Sequence, residues 1–243
     1  MPPVIHLEET FSTNTYLKDL LLKQDVEEGT IIYSDYQSAG KGQRGNNWES
    51  EHGKNLLFSI VLYPTMINAN EQFIISQFIS LAIKDTLSKY TDNITIKWPN
   101  DIYWKEKKIC GILIENALLE NKISQSVIGI GININQERFI SEVPNPVSLK
   151  KITGNSYDLK EILTELAGQI QLHYGYVKEG NFNPIVQQYK DSLFRSKGYH
   201  LYHDGVMDFL AKIKDIKPSG ILVLETMEGV ERKFAFKEVK YII

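Results

Sequence analysis

Apolar residues recur along this chain at two spacings, and the switches between them lay out the elements. Val4 to Leu7 reads as a short strand, and Ser12-Thr13-Asn14 ahead of Tyr16, Leu17, Leu20 and Leu21 reads as an N-cap opening an amphipathic helix. Thr30 to Tyr33 and Leu56 to Leu62 are apolar runs of strand length, the second closed by Tyr63-Pro64. From Glu71 to Tyr90 the spacing is helical, with Phe73, Ile74, Phe78, Leu81, Ala82 and Leu87 on the apolar stripe. Ile94 to Trp98, Ile102 to Trp104, Lys108 to Leu118 and Ser126 to Ile134 return to strands, the last two forming a hairpin that turns near Glu120-Asn121.

Two polar stretches interrupt this order. Gln37 to Trp48 holds three glycines and almost no aliphatic residue, so it reads as a loop. Asn135 to Tyr157 is polar and irregular, and a connection of that length without structure of its own often serves as a functional lid. Helices follow over Leu159 to Val177 and Asn183 to Leu193. After Lys197-Gly198 short strands are punctuated by Asp204-Gly205, Pro218-Ser219-Gly220 and Glu228-Gly229, which marks a small all-β module. The whole reads as an α+β protein, a mixed sheet packed with helices over residues 1–195 and the β module over 196–243.

Composition narrows the function classes. A length of 243 residues suits one good-sized core and an appended module. The net charge of -3 and nearly balanced charges in the β module give no global attraction to nucleic acid or acidic lipid. Cys110 is the only cysteine, so no internal disulfide forms. No signal peptide and no membrane-length apolar run is visible, and the cytoplasm is the simplest expected location.

Two stretches carry candidate chemistry. Gly40-Lys41-Gly42-Gln43-Arg44-Gly45 has the letters of a dinucleotide fingerprint, but it leads into a strand where that fingerprint should open a helix. What remains is a flexible loop whose glycines let backbone N–H groups approach an anion, with Lys41 and Arg44 adding charge and Trp48 an apolar lid. Taken alone it reads rather as a solvated glycine hairpin. Lys97-Trp98-Pro99-Asn100-Asp101 followed by Lys108-Ile109-Cys110-Gly111 sets two lysines and a carboxylate beside an apolar strand, as for a site mounted on a sheet. Cys110 continues the apolar pattern with Ile112 and Ile114 and reads as a buried structural thiol. Trp98 reads as core, and His200 and His203 as hairpin surface without metal partners.

Ser12-Thr13-Asn14, Gln37, the glycine loop, the Lys97 to Asp101 run, Lys108 to Leu113 and Gly129-Ile130-Gly131-Ile132-Asn133 together resemble the biotin-protein ligase family in order and spacing. The resemblance covers essentially the whole chain and implies a biotin/lipoate ligase-like catalytic domain followed by an SH3-like β-barrel. It implies an enzyme that uses ATP and Mg²⁺ to form biotinyl-5′-adenylate and then biotinylates a lysine of a biotin carboxyl carrier protein. By the same resemblance Ser12, Thr13, Asn14, Gln37, Lys41, Gly42, Gln43, Lys108 and Gly111 bind biotin. Lys41, Arg44, Trp48, Asn100, Lys108 and Asn133 bind ATP or the adenylate. Lys108, Arg44 and Asp101 carry the catalysis: cations offset the charge that builds on the α-phosphate, and Asp101 either helps to hold ATP and metal or accepts a proton from the incoming lysine. Both loops are expected to close over the adenylate and keep water from it.

The chain departs from the pattern in two ways. Many relatives carry arginine at the positions of Lys41, Gln43 and Asn46; the neutral Gln43 implies looser retention of the adenylate. The first catalytic strand begins almost at Met1, so a short form without a DNA-binding domain is expected; the family also forms homodimers through sheet edges. A lipoate ligase or octanoyltransferase of the same superfamily is the nearest alternative, and a non-catalytic biotin binder is the alternative from another class. Lys108 and Asp101 speak against the binder, which has no need of groups acting on developing charge.

Overall fold

The computed structural model describes residues 3–43, 47–140 and 145–243. Its elements in chain order are strand β1 (Val4–Thr10), helix α1 (Thr13–Leu21), β2 (Ile31–Gln37), β3 (Leu56–Leu62), helix α2 (Phe73–Leu87), β4 (Ile94–Lys97), β5 (Asp101–Trp104), β6 (Lys107–Leu119) and β7 (Lys122–Ile132). Helices α3 (Leu149–Thr153), α4 (Leu159–Lys178) and α5 (Phe182–Asp191) follow, then β8 (His200–His203), β9 (Asp208–Ile216), β10 (Leu222–Thr226), β11 (Glu231–Phe234) and β12 (Lys240–Tyr241).

Leu56–Leu62 is buried at every position, as a strand covered on both faces must be, and it lies inside a seven-stranded sheet of order β1-β2-β3-β7-β6-β5-β4. Only the β1–β2 pair is parallel, so the sheet is mixed. The pleat divides its residues between two faces. Leu56, Phe58, Ile60 and Leu62 of β3 and Ile128, Ile130 and Ile132 of β7 join the main core with α2 and α4. On the other face Ile32, Val61 and Val127 pack under Leu17 of α1 in a small second cluster. Helix α1 roofs only that part; Gly129 and Gly131, on the same face, are left to line a cavity, and Ser59 lies beside them under Thr13 and Asn14.

Two expectations need correction. The stretch from Asn135 to Tyr157 is not structureless: α3 forms within it, capped by Ser148, whose hydroxyl accepts from the Lys151 N–H, and ended by Gly154 at φ 82°. Gln37 ends β2 rather than opening a loop. Parts of both candidate lids, residues 44–46 and 141–144, lie outside the described residues.

The C-terminal strands form a five-stranded antiparallel sheet of order β11-β10-β9-β8-β12. Among the described residues no pairing joins β11 to β12, so the expected barrel is not closed by hydrogen bonds. Tyr202, Ala211, Ile216, Leu222 and Phe234 of this sheet share one apolar cluster with Phe58 and Phe78. The Trp98 indole N–H donates to the Gly220 carbonyl at 2.9 Å, fastening the second sheet to the β4–β5 turn. No helix among the described residues is long and apolar enough to cross a membrane.

Candidate active site

The cavity on the α1 face has a volume of about 610 Å³, within the range of small-molecule sites. Its floor is backbone. Gly111 of β6 faces Gly131 of β7, and Leu113 faces Gly129. None of these three glycines adopts a left-handed backbone, so they are required for space. A Cβ on Gly129 would stand 2.4 Å from Asn14 Oδ1, and one on Gly111 or Gly131 would stand 2.8 or 2.6 Å from the Trp48 ring.

One pole of the floor is neutral and polar. Ser12 takes the extended backbone of a helix N-cap, yet its side chain makes no cap hydrogen bond and lines the cavity instead. Thr13 N–H donates to Gln37 Oε1 at 2.7 Å, and Asn14 Nδ2 donates to Glu115 Oε2 at 2.8 Å. Ser12, Thr13 and Asn14 are all buried. Thr13 and Asn14 are bonded to Gln37, Ser59 and Glu115, so this wall is held in place before any ligand arrives.

The other pole is charged. Lys108 Nζ lies 2.7 Å from Asp101 Oδ1 and 5.7 Å from the centre of the Trp48 ring. Asp101 faces Gly111 across the ladder, and the register then slips so that Ile102 pairs with Cys110 but Tyr103 with Lys108. The bulge leaves both Ile109 and Cys110 in the core, which turns Lys108 onto the glycine face. Segment 145–147 holds it there, with Lys108 N–H donating to Asn145 O and Val147 N–H to Lys108 O, each at 2.9 Å. Asn100, buried, donates to Ile112 O, while Ser76 and Tyr189 hydroxyls donate to Pro99 O and fix the turn from below. Lys97 is paired with Asp101 across the hairpin; burial lowers its ammonium pKa, which Asp101 opposes. Burial pushes the Cys110 thiol well up, in keeping with a structural role.

Two wall groups await partners: Asn133 Oδ1 and Trp48 Nε1 are buried with no hydrogen-bond partner among the described residues. Every described residue assigned from the sequence to ligand binding or catalysis lines this one cavity, including Lys41, Gly42, Gln43 and Asn133, whereas Lys97 does not; Arg44 lies outside the described residues. Sequence reasoning missed Ser59, Glu115, Phe139 and Phe236 around it. Ser59 was visible as the lone hydroxyl in the run Leu56–Leu62, whereas nothing in the sequence placed Phe236, on the β11–β12 connection, at a wall 125 residues from Gly111.

A mixed sheet with a glycine-rich floor, a neutral polar pole and a lysine–carboxylate pole defines a small-molecule-binding domain with room for an acid between hydrogen-bonding groups and a cation. The chain belongs to the Biotin/lipoate A/B protein ligase family, whose pattern matches residues 7–133. It is similar to the bifunctional ligase/repressor BirA of Bacillus subtilis, 28% identical over 222 residues, which covers 88% of this chain and 67% of that protein. It is 34% identical to Escherichia coli BirA over 135 residues, 55% of this chain and 41% of that protein. Among solved structures, the biotin protein ligase of Aquifex aeolicus in complex with biotin and ATP superposes with a TM-score of 0.82 at 27% identity, covering 100% of both chains.

Proposed function

We propose that this protein is a biotin-protein ligase that joins biotin to ATP and passes the biotinyl group to a lysine of a biotin carboxyl carrier protein. The observation that carries this reading is Lys108, set by a bulge at the charged end of a glycine floor whose other end offers uncharged hydrogen-bonding groups. Biotin has that polarity, a ureido ring at one end and a carboxylate at the other. The carboxylate oxygen attacks the α-phosphorus, the bond to pyrophosphate breaks, and biotinyl-5′-adenylate results. In this reading Lys108 bridges the carboxylate and the α-phosphate and offsets the growing charge. In the second step the acceptor amine attacks the acyl carbon and AMP departs with the bonding pair. Asp101, beside Lys108, takes the amine proton in this reading.

Magnesium would be held mainly by the nucleotide phosphates, with Asp101 as a carboxylate of the charged pole available to it, and would offset charge on the phosphate oxygens. Asn133, with its unpartnered Oδ1, is the wall group assigned to the adenylate. The cytoplasm is the compartment assigned, no nucleic acid takes part, and edge strand β1 is the surface through which a homodimer would pair. Residues 196–243 are assigned as the second module.

The neutral pole argues for biotin over lipoate, since a ureido ring offers N–H and carbonyl groups to a polar wall and a dithiolane ring offers neither. Incubation with ATP, Mg²⁺, a carrier domain and either biotin or lipoate, followed by mass measurement of the carrier, tests this. The reading requires a biotinyl mass gain and fails if only lipoate gives one, or if neither does.

A further inference from the structure

The neutral pole is held by a chain of hydrogen bonds that begins outside the cavity. Lys18 Nζ donates to Glu115 Oε1 at 2.6 Å, and Asn14 Nδ2 to Glu115 Oε2 at 2.8 Å. Ser59 Oγ lies 2.5 Å from Asn14 Oδ1 and 2.7 Å from Thr13 Oγ1, and Thr13 Oγ1 lies 3.0 Å from Gln37 Oε1. Neither Lys18, Glu115 nor Ser59 lines the cavity.

We propose that Glu115, with Lys18 and Ser59, acts as a positioning unit that fixes the direction of this chain, and thereby which groups at the neutral pole accept and which donate to the bound acid. The inference rests on the biotin reading and deepens it. An ionised carboxylate can only accept, so Glu115, at 2.8 Å and with the Leu113 carbonyl a weaker acceptor at 3.5 Å, turns the Asn14 NH2 outward and its oxygen toward Ser59. Burial alone would raise the Glu115 carboxyl, but the hydrogen bonds from Lys18 and Asn14 outweigh it and keep the group below its ordinary value.

From Asn14 the direction propagates. Three oxygen–oxygen contacts join Asn14, Ser59, Thr13 and Gln37, and the two hydroxyls supply only two protons. Gln37 Oε1 is already served by the Thr13 N–H. With Asn14 Oδ1 turned to Ser59, the two protons go to the two shorter contacts, Ser59 to Asn14 and Thr13 to Ser59, and the 3.0 Å contact between Thr13 Oγ1 and Gln37 Oε1 carries none. Thr13 Oγ1 is left with a lone pair, and Gln37, its oxygen occupied, turns its NH2 toward Gly40 and the cavity. The pole then accepts an N–H at Thr13 and donates to a carbonyl from Gln37, the pattern of a ureido group. With an amide at position 115 the Asn14 side chain can flip, and the hydroxyls can reverse.

The test compares biotin with a cyclic carbamate analogue in which one ureido N–H is replaced by oxygen, for wild type, Glu115→Gln and Ser59→Ala, with kcat and KM read separately. The wild type should prefer biotin over at least one carbamate isomer by about a hundredfold or more in kcat/KM. Glu115→Gln and Ser59→Ala should each raise KM for biotin and shrink that preference about tenfold, with kcat nearly kept. Equal losses on both substrates in both variants would show packing alone and overturn the proposal; Ser59→Ala decides it if Glu115→Gln does not fold. A wild type that turns over biotin but not more readily than either carbamate also overturns it. A wild type that does not use biotin removes the functional reading itself.

Discussion

Lys108 and Gly111 lie on one face of β6 although three positions separate them, because Ile109 is the extra residue of a bulge opposite Ile102 and Tyr103. In a regular strand they would point to opposite faces, and the lysine would enter the core beside Cys110. Lys108→Ala should therefore leave the fold intact and slow adenylation about 10²- to 10³-fold, the loss typical of removing a group that stabilises transition-state charge. Deleting Ile109 should cost both activity and stability, since it drives a charge into the apolar layer. Pyrophosphate release and thermal unfolding, measured together, separate the two. Comparable adenylation by Lys108→Ala and wild type would contradict the role.

The glycine floor predicts a steric effect without a folding effect. Gly131 has an ordinary backbone, but an added Cβ would lie 2.6 Å from Trp48. Gly131→Ala should raise KM for biotin about tenfold or more, because the Cβ pushes the half-buried Trp48 ring, which can give way, off the floor on which the acid lies, while circular dichroism and urea midpoint stay near wild type. A normal KM would mean that the acid does not lie on this floor.

Trp48 supplies an optical readout. Its ring lies over Gly111 and Gly131 and its buried Nε1 has no partner among the described residues, whereas the Trp98 indole is tied to Gly220. A ligand entering the slot must alter the Trp48 surroundings. Biotin should change the tryptophan emission of the wild type and leave that of Trp48→Phe unchanged. An identical response from both proteins would place the acid elsewhere.

These two features also show what the sequence could and could not reveal. The strands and long helices were legible because their apolar periods are local, and Ser12, Gln37, Asp101 and Lys108 because their spacing follows a family pattern. Ile109 was not: a bulge is a register shift between two strands, and the letters Lys-Ile-Cys-Gly carry no mark of it. Helix α3 escaped because five residues span too few turns for a period, although Ser148 and Gly154 stood at its ends. Glu115 escaped because its importance lies in which atom of Asn14 it holds, 101 positions away.

Gln43 lines the cavity, and an uncharged amide cannot pair ionically with an adenylate phosphate. Gln43→Arg should lower the rate at which biotinyl-5′-adenylate escapes, about tenfold for one added charge-assisted hydrogen bond. Trapping of free adenylate by added hydroxylamine, with no carrier present, reports that rate. Unchanged escape would assign retention to other groups of the loop.

Acid should weaken the sheet that brings Phe236 to the cavity wall. Burial raises the Asp215 carboxyl, but hydrogen bonds from Lys190 at 2.6 Å and Lys217 at 2.9 Å outweigh it and hold the group at about 2, below its ordinary 3.8. A carboxyl depressed in the folded state contributes stability above its unfolded value and loses it as pH falls toward the folded one. The Asp215 contribution should thus be full above about pH 4 and fade toward pH 2. Both partners are about one-third exposed, so it should amount to only about 1 kcal/mol. Because Lys190 belongs to α5 and Asp215 to β9, the pair fastens the second sheet to the helical layer. Asp215→Asn should destabilise the protein at pH 6 and reduce its further loss on acidification. Urea unfolding at pH 6 and pH 3 checks both signs, and equal acid sensitivity in the two proteins would show that Asp215 is not among the groups that titrate with unfolding.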